Sequence, residues 1–309
     1  MKYLVYKLNF KEPVHFGKND LSDSDYSLCS DTFFSALCLE AISVGSDPLN
    51  LLVDKTRRGL IKFSDGFPFI EDILMLPKPY VLIQRESSGS SIERKAYKSL
   101  KYIPMNALDI FLRGEYDVLS AVSMDRLGIE SVKVSASVRN DENETKPYEV
   151  GIYTFNKNCG LFFIIGCEEA SDLSFIDQLI RQLSYSGLGG RRSSGYGRFD
   201  FETKEIDPWL EERLSNASGK VMLINTALPG DDELEKAISN ASYSLIKRSG
   251  FVNSADYSDS WHRKKDLFMF KSGSCFDMKF SGDVYDVSTD KGNHPVYRCG
   301  KPFFMRVTE

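Results

Sequence analysis

The sequence predicts an α+β protein in two domains. Three features carry that expectation. Short apolar or alternating stretches with strand character recur along the whole chain, and two segments repeat their apolar residues at helical spacing. A polar stretch near 206–219 separates a first series of such elements, residues 1–206, from a second, residues 219–309. Strands do not alternate regularly with crossover helices, which argues against a doubly wound parallel sheet. With 309 residues, 42% hydrophobic and 27% charged, the chain is long and apolar enough to bury sizeable cores.

In chain order, Tyr3, Val5 and Leu8–Phe10 begin a strand. Asp31 is placed to cap a helix reaching Val44, on which Phe33, Phe34, Leu37, Cys38, Ala41 and Ile42 form one apolar face and after which Gly45 follows. Leu60–Phe63 and Tyr80–Ile83 read as short strands set among Pro68, Pro77 and Pro79. Between 85 and 102, Arg94, Lys98 and Lys101 can share a helical face beside Tyr97 and Tyr102, either as a backbone-binding strip or as a solvated face. Val132, Val134 and Val138 and then Tyr148–Phe155 form an inserted β-hairpin candidate around NDENET, followed by a buried strand at Leu161–Ile165. Ser171–Leu183 reads as a helix with Ser174 and Asp177 in capping-box spacing and Ile176, Leu179, Ile180 and Leu183 on one face.

Past the boundary, Asp207 and Pro208 start a short helix and Val221–Asn225 a strand. Asp231 can cap a helix bearing Leu234, Ala237, Ile238 and Ala241, and strands are expected at 243–247, 266–270, 283–287 and 301–307. The second domain thus repeats the α+β theme of the first.

A formal net charge of −5 is wrong for a cationic nucleic-acid coat and confines any polyanion to a local basic site. The six cysteines, at 29, 38, 159, 167, 275 and 299, make neither zinc-type pairs nor a dense disulfide framework, so they read as reduced, with Cys38 buried in its helix. MKYLVYKLNF lacks the apolar run of a signal peptide and no run reaches the 18 apolar residues of a membrane span; a cytoplasmic, non-membrane protein is the simplest expectation.

LGGRRSSGYGRFD, 188–200, is the most pointed stretch. Gly187, Gly189, Gly190, Gly195 and Gly197 surround Arg191 and Arg192 and lead to Arg198, offering exposed backbone N–H groups and guanidinium forks that suit phosphate oxygens. A tight surface turn with a basic tip is the plainer account. The loop lacks the Lys-Ser/Thr ending of a Walker A motif and follows a helix instead of a strand, which disfavours nucleotide hydrolysis. His15, His262 and His294 have no ligand-spaced partner, and the carboxylates form no evident two-metal cluster, so neither a metal nor any other cofactor is expected. A second basic region holds Lys247, Arg248, Tyr257, Trp261, His262, Arg263, Lys264 and Lys265; mixed aromatic and cationic groups suit single-stranded RNA, or else form a mobile loop with one anchored ring.

HFGKNDLSDSDYSLCSDTFFSALCLEA (15–41), LGGRRSSGYGRF (188–199), SLIKRSGFVNS (244–254) and HPVYRCGKPF (294–303) together resemble the RAMP-superfamily subunit of type III-A CRISPR effector complexes that holds the 5′ end of the guide RNA. That resemblance, spanning nearly the whole chain in order, implies two ferredoxin-like, RRM-related domains and a binding subunit without enzymatic activity. It implies that the guide's 5′ tag is cradled at Gly189, Gly190, Arg191, Arg192, Ser193, Gly195, Tyr196 and Gly197. His15, Ser30, Asp31 and Thr32 are expected near the RNA, and Lys247 and Arg248 join them as RNA-binding candidates. The implied partners are the large polymerase-like subunit, the first backbone RAMP subunit and, through the complex, target RNA. A thumb hairpin that displaces a nucleotide of the guide–target duplex lies in 84–125 or 134–152. Two alternatives stay open: a guide-processing endoribonuclease of related fold, using a histidine as general acid or base, and an RNA-independent assembly scaffold.

Overall fold

In the computed structural model the described residues are 1–18, 20–83, 90–137, 146–254, 256–258 and 260–307. The first strand, β1 (Lys2–Phe10), is followed by the two-residue strands β2 (Phe16–Gly17) and β3 (Ser24–Asp25), which pair with each other. Helices α1 (Ser30–Val44) and α2 (Ser46–Arg57) lead to β4 (Ile61–Phe63), β5 (Phe67–Ile70) and β6 (Ile73–Pro77). Then come α3 (Ser91–Ser99), β7 (Tyr102–Pro104), α4 (Leu108–Leu112), and a long hairpin of β8 (Gly128–Ser137) and β9 (Lys146–Phe155). Strand β10 (Cys159–Cys167), α5 (Ala170–Ser186) and β11 (Phe199–Glu205) close the first series.

One antiparallel sheet organises this series, with strands in the order β11-β1-β10-β5-β6-β7 and β4 also on β10. Its central register sets Tyr6 opposite Phe163 and Thr203. Because successive side chains point to opposite faces, β10 feeds two cores. Leu161, Phe163 and Ile165 join Tyr6, Leu8, the α1 residues Phe33, Phe34 and Leu37, and the α5 residues Ile176, Leu179 and Ile180. Phe162 and Ile164 face the other way with Tyr3 and Val5, into a core shared with Leu210, Met222, Ile224, Phe303 and Met305. Every residue of β10 is buried, as expected for a strand covered on both sides.

The second series begins with α6 (Pro208–Ser215), where Asp207 accepts from Trp209 N–H at 2.8 Å and Pro208 occupies the first turn. Strand β12 (Val221–Leu223), helix α7 (Leu234–Ile238) and the ribbon of β13 (Leu245–Arg248) with β14 (Leu267–Phe270) follow. Strand β15 (Cys275–Phe276), the ribbon of β16 (Val284–Asp286) with β17 (Tyr297–Cys299), and β18 (Phe304–Arg306) complete it, with β15-β12-β18 as a three-stranded sheet.

Both series mix helices and antiparallel strands, the predicted α+β class. Several local expectations give way. The cap of α1 is Cys29, and Asp31 lies inside the first turn because Asp65 already serves the helix start by accepting from Ser30 N–H at 2.7 Å. Ile42 is exposed and Cys38 half-buried, so the apolar face of α1 is narrower than its sequence suggests. Helix α2 emerges where only loop and strand signals stood out, its Leu52 and Val53 packing into the first core. Tyr80–Ile83 forms no strand; Tyr80 N–H instead donates to Gly273 of the second series.

Lys101 falls beyond the end of α3 and cannot share its face. Ser174 and Asp177 sit within α5, whose cap is Glu169, and Asp177 pairs with Arg181. Helix α7 starts after Glu233 and stops at Ile238, short of Ala241. Among the described residues the second series has no partner helix for α7 beyond α6, so it keeps the α+β composition of the first without its two-helix order. Part of each thumb candidate, residues 84–89 and 138–145 with the NDENET turn and Val138, lies outside the described residues.

Candidate nucleic-acid interface

The glycine-rich loop is built on the end of α5. Leu188 is buried and donates to Gly197 O at 2.9 Å, while Gly197 donates to Pro13 O at 3.0 Å, closing the loop at its base. Gly197 has φ +77°, and a Cβ there would stand 2.1 Å from Leu188 O, so only glycine permits the closure. Gly190 donates to His15 O at 2.9 Å, and a Cβ on it would meet His15 Cδ2 at 2.7 Å. The close approach demanded at Gly190 is therefore to the His15 segment. Between these anchors Arg191 takes a left-handed conformation and Arg192–Ser194 make a single tight turn.

Facing the loop across an open groove of about 620 Å³ stand the start of α1 and strand β13. His15, Asp31, Thr32, Gly189, Gly190, Arg192, Lys247 and Arg248 all line it. Its lining carries six cationic side chains against two carboxylates, Asp25 and Asp31, in a protein whose overall charge is negative. Such a concave cationic surface concentrates a field that attracts polyanions.

The floor of the groove is an ion cluster. Arg248 Nε donates to both oxygens of Asp31 at 3.1 and 3.0 Å and its Nη2 to Thr32 Oγ1 at 2.6 Å; Arg298 Nη1 donates to Asp31 Oδ2 at 3.0 Å. Burial would raise the Asp31 pKa, but Arg248, Arg298 and Lys264 more than offset it and hold the carboxyl below its ordinary value. The Lys264 pKa is lowered as well, first by burial and then by Arg298 and Arg248, so the same surroundings that favour the charged form of Asp31 oppose that of Lys264. One carboxylate thus stands among three cations. Behind it Asp65, buried and with its pKa raised by burial, accepts from Ser30 N–H, Thr226 N–H and Thr226 Oγ1, tying α1 to the second series.

His15 is itself buried, with Nδ1 2.7 Å from Gly151 O. Arg192 reaches Glu40 at 3.4 Å, and Glu40 also accepts from Ser186 Oγ, so the guanidinium is steered from behind. The remaining predicted residues lie off the groove. Ser30 is wholly buried and its Oγ donates to Thr226 O; Ser193 is exposed on the outer turn, followed by Gly195. Arg191 stacks over Tyr148 of β9 at 4.9 Å and Lys133 of β8 sits 5.6 Å from the Tyr196 ring, so these two loop residues face the hairpin. Of the two RNA-binding candidates on β13, Arg248 is paired with Asp31 at 3.0 Å and Lys247 with Asp266 at 2.7 Å.

Arg298 and Asp65 escaped the sequence reading. The cue for Arg298 was a lone arginine in the apolar alternation of VYRC; for Asp65 no pattern marked it. Among the described residues no group of three or more His, Cys, Asp and Glu side chains could hold a metal ion, and no helix is long and apolar enough to cross a membrane. Tyr257 stands between His262 and His294, but it is buried and its hydroxyl is engaged by Thr289.

Comparison with known proteins agrees with this architecture. Residues 7–200 match the RAMP superfamily and residues 216–307 the CRISPR Csm4 C-terminal domain. Among curated proteins, the "CRISPR system Cms protein Csm4" of Mycobacterium tuberculosis (strain CDC 1551 / Oshkosh) is 35% identical, with 100% of this chain and 99% of that protein covered. The protein of the same name from Streptococcus thermophilus is 31% identical, with 99% of each covered. The chain belongs to the RAMP superfamily and, within it, to the Csm4 family. A chain of the crystal structure of the Csm3–Csm4 subcomplex in the type III-A CRISPR-Cas interference complex shares the fold, with a TM-score of 0.67, 20% identity and full coverage of both chains. One from the Csm1–Csm4 cassette in complex with cA4 does so at a TM-score of 0.60 and 16% identity, covering 100% of this chain and 98% of that one.

Proposed function

We propose that this chain is the subunit of a type III-A CRISPR effector complex that holds the 5′ tag of the guide RNA and bridges a polymerase-like subunit to the RAMP backbone. The bridging role is supported by the solved assemblies that share its fold, in which Csm4 is found with Csm3 and with Csm1. The groove supports the RNA-binding part: loop, α1 and β13 come from distant parts of the sequence, yet eight of the predicted residues line one cationic concavity. In this reading Gly189, Gly190, Arg192, His15, Thr32 and Lys247 lie along the RNA, while Asp31 and Arg248 hold the floor in place.

Both faces of the central sheet are buried, so bases cannot stack on it in the manner of an open RRM sheet; loops and groove walls are left to make the contacts. We read the series around β1, α1, β5, β10, α5 and β11 as the first of two ferredoxin-like units dividing near 206–219. We also read the chain as non-catalytic. The nuclease alternative rests on a histidine acting as general acid or base, and His15, the histidine that lines the groove, is buried with its Nδ1 at Gly151 O.

Recovery of the intact complex and sequencing of its RNA tests the proposal. A common short 5′ sequence is expected, with crosslinks at 188–198. Arg191→Ala/Arg192→Ala should weaken guide binding by tenfold or more, taking a charge-assisted hydrogen bond as worth about 1.5–3 kcal/mol. Full affinity in a folded double variant refutes the site. Multiple-turnover cleavage abolished by a histidine substitution would restore the nuclease alternative.

A further inference from the structure

Just past β13 in the chain, the groove carries an exposed aromatic pair. Phe251 lines the groove and is 50% exposed; Trp261, set edge-on to it at 6.0 Å between ring centroids, is 84% exposed. The other tryptophan, Trp209, donates its indole N–H to Asp109 and packs on the second core. Trp261 has no such anchor among the described residues. Yet the backbone directly after it is held: Val252 N–H donates to His262 O at 3.0 Å, Lys264 N–H donates to Gly250 O at 2.9 Å, and Phe251 bridges to Arg263. An exposed indole beside a pinned backbone loses less freedom when a flat partner covers it than one on a free loop.

Cations surround the pair. Arg263 lies 5.4 Å from the Phe251 ring centre. The Lys264 side chain lines the groove beside the Asp31 cluster and makes neither a hydrogen bond nor an ion pair among the described residues. Asp31 is already shared by Arg248 and Arg298 and Asp266 pairs with Lys247, so cations outnumber carboxylates here. A stacking surface next to an unpaired cation is what one nucleotide of a single strand needs, a face for its base and a charge for its phosphate. A protein partner covering an apolar patch would need no such excess positive charge in the adjoining wall.

Resting on the RNA-binding reading of the groove, we propose that Phe251, Trp261 and Lys264 form a one-nucleotide subsite of the same RNA path, beside β13. Trp261 takes an unpaired base on its exposed face, and Lys264 takes the phosphate. Base-paired RNA is excluded, because its bases are already stacked within the duplex.

The test uses the assembled complex and the RNA recovered with it, resynthesised with a fluorescent label and with single abasic positions. Trp261→Ala should weaken binding by about 5- to 150-fold, the loss expected for one stacked base, and Trp261→Phe should keep most of the affinity. With the RNA abasic at the cognate position, Trp261→Ala should cost nothing further, and this should hold at one position only. Lys264→Gln should lower the slope of log affinity on log salt by about one. RNA bound normally by Trp261→Ala, or a loss equal across all abasic RNAs, overturns the subsite while leaving RNA binding by the groove intact. Normal RNA binding with loss of a co-purifying subunit reassigns the pair to a protein interface. A complex that carries no RNA at all overturns the groove reading and this subsite with it.

Discussion

At the scale of single residues, Asp31 decides the most. It is buried, it accepts from two arginines, and it neutralises part of a cluster that without it would be purely cationic. Removing one member of a buried ion cluster leaves its partners uncompensated, which costs about 3–5 kcal/mol. Asp31→Asn should therefore lower stability by that order in a denaturant titration, with Arg298→Met milder because Arg248 still pairs. The same carboxyl gives a pH dependence of known sign. Its folded pKa lies below the unfolded value of about 3.9, so the unfolded chain takes up the proton first and the stabilisation is complete above that value. It falls away as pH drops through the folded pKa. Asp65, whose pKa is raised by burial, contributes with the opposite sign. Subtracting the Asp31→Asn profile from the parent's should isolate a loss confined to the acid side.

At the scale of elements, the glycine-rich loop shows how one composition serves two different needs. Gly195 and Gly197 both have positive φ, yet a Cβ on Gly195 meets only open space, whereas one on Gly197 lands on Leu188 O. Gly195→Ala should thus cost about 1–2 kcal/mol of left-handed backbone strain and leave RNA affinity near the parent's. Gly197→Ala must break the loop's base hydrogen bonds and should lower both thermal stability and affinity, as differential scanning fluorimetry and an RNA titration would report. Composition marked the loop and its arginines. It did not say that the glycines close the loop on itself and on His15, since that depends on where residues 13–15 pass, more than 170 positions earlier. Nor did it say that Arg191 and Tyr196 turn to the hairpin while Arg192 turns to the groove.

For the whole molecule, the two series share a core and should not come apart. Phe303 stacks on Tyr3 at 5.9 Å and lies buried among residues from both ends of the chain. Phe303→Ala should cost about 3–5 kcal/mol through lost burial and a cavity, and it should lower the unfolding midpoint reported by probes in either series, because both depend on that core. A fragment from 216 onward, expressed alone, should expose Met222, Ile224 and Met305 and aggregate; a soluble fragment with native near-ultraviolet dichroism would contradict this.

The sequence by itself determined the α+β class, the apolar face of α5 and most of that of α1, a buried strand at Leu161–Ile165 and the basic glycine loop, because each rests on local periodicity or composition that any conformation must respect. Tertiary structure decided what those pieces are for. Asp31 reads as a helix cap until Asp65, 34 residues later, takes over the helix start and frees it to meet Arg248 and Arg298. Arg248 reads as one cation of a basic run until that meeting fixes its side chain at the groove floor. The groove is likewise invisible in the chain, since its walls come from residues 15–39, 189–192 and 245–298. Charges act through space, so which cation is paired and which is left for a phosphate is settled only when distant segments are packed together.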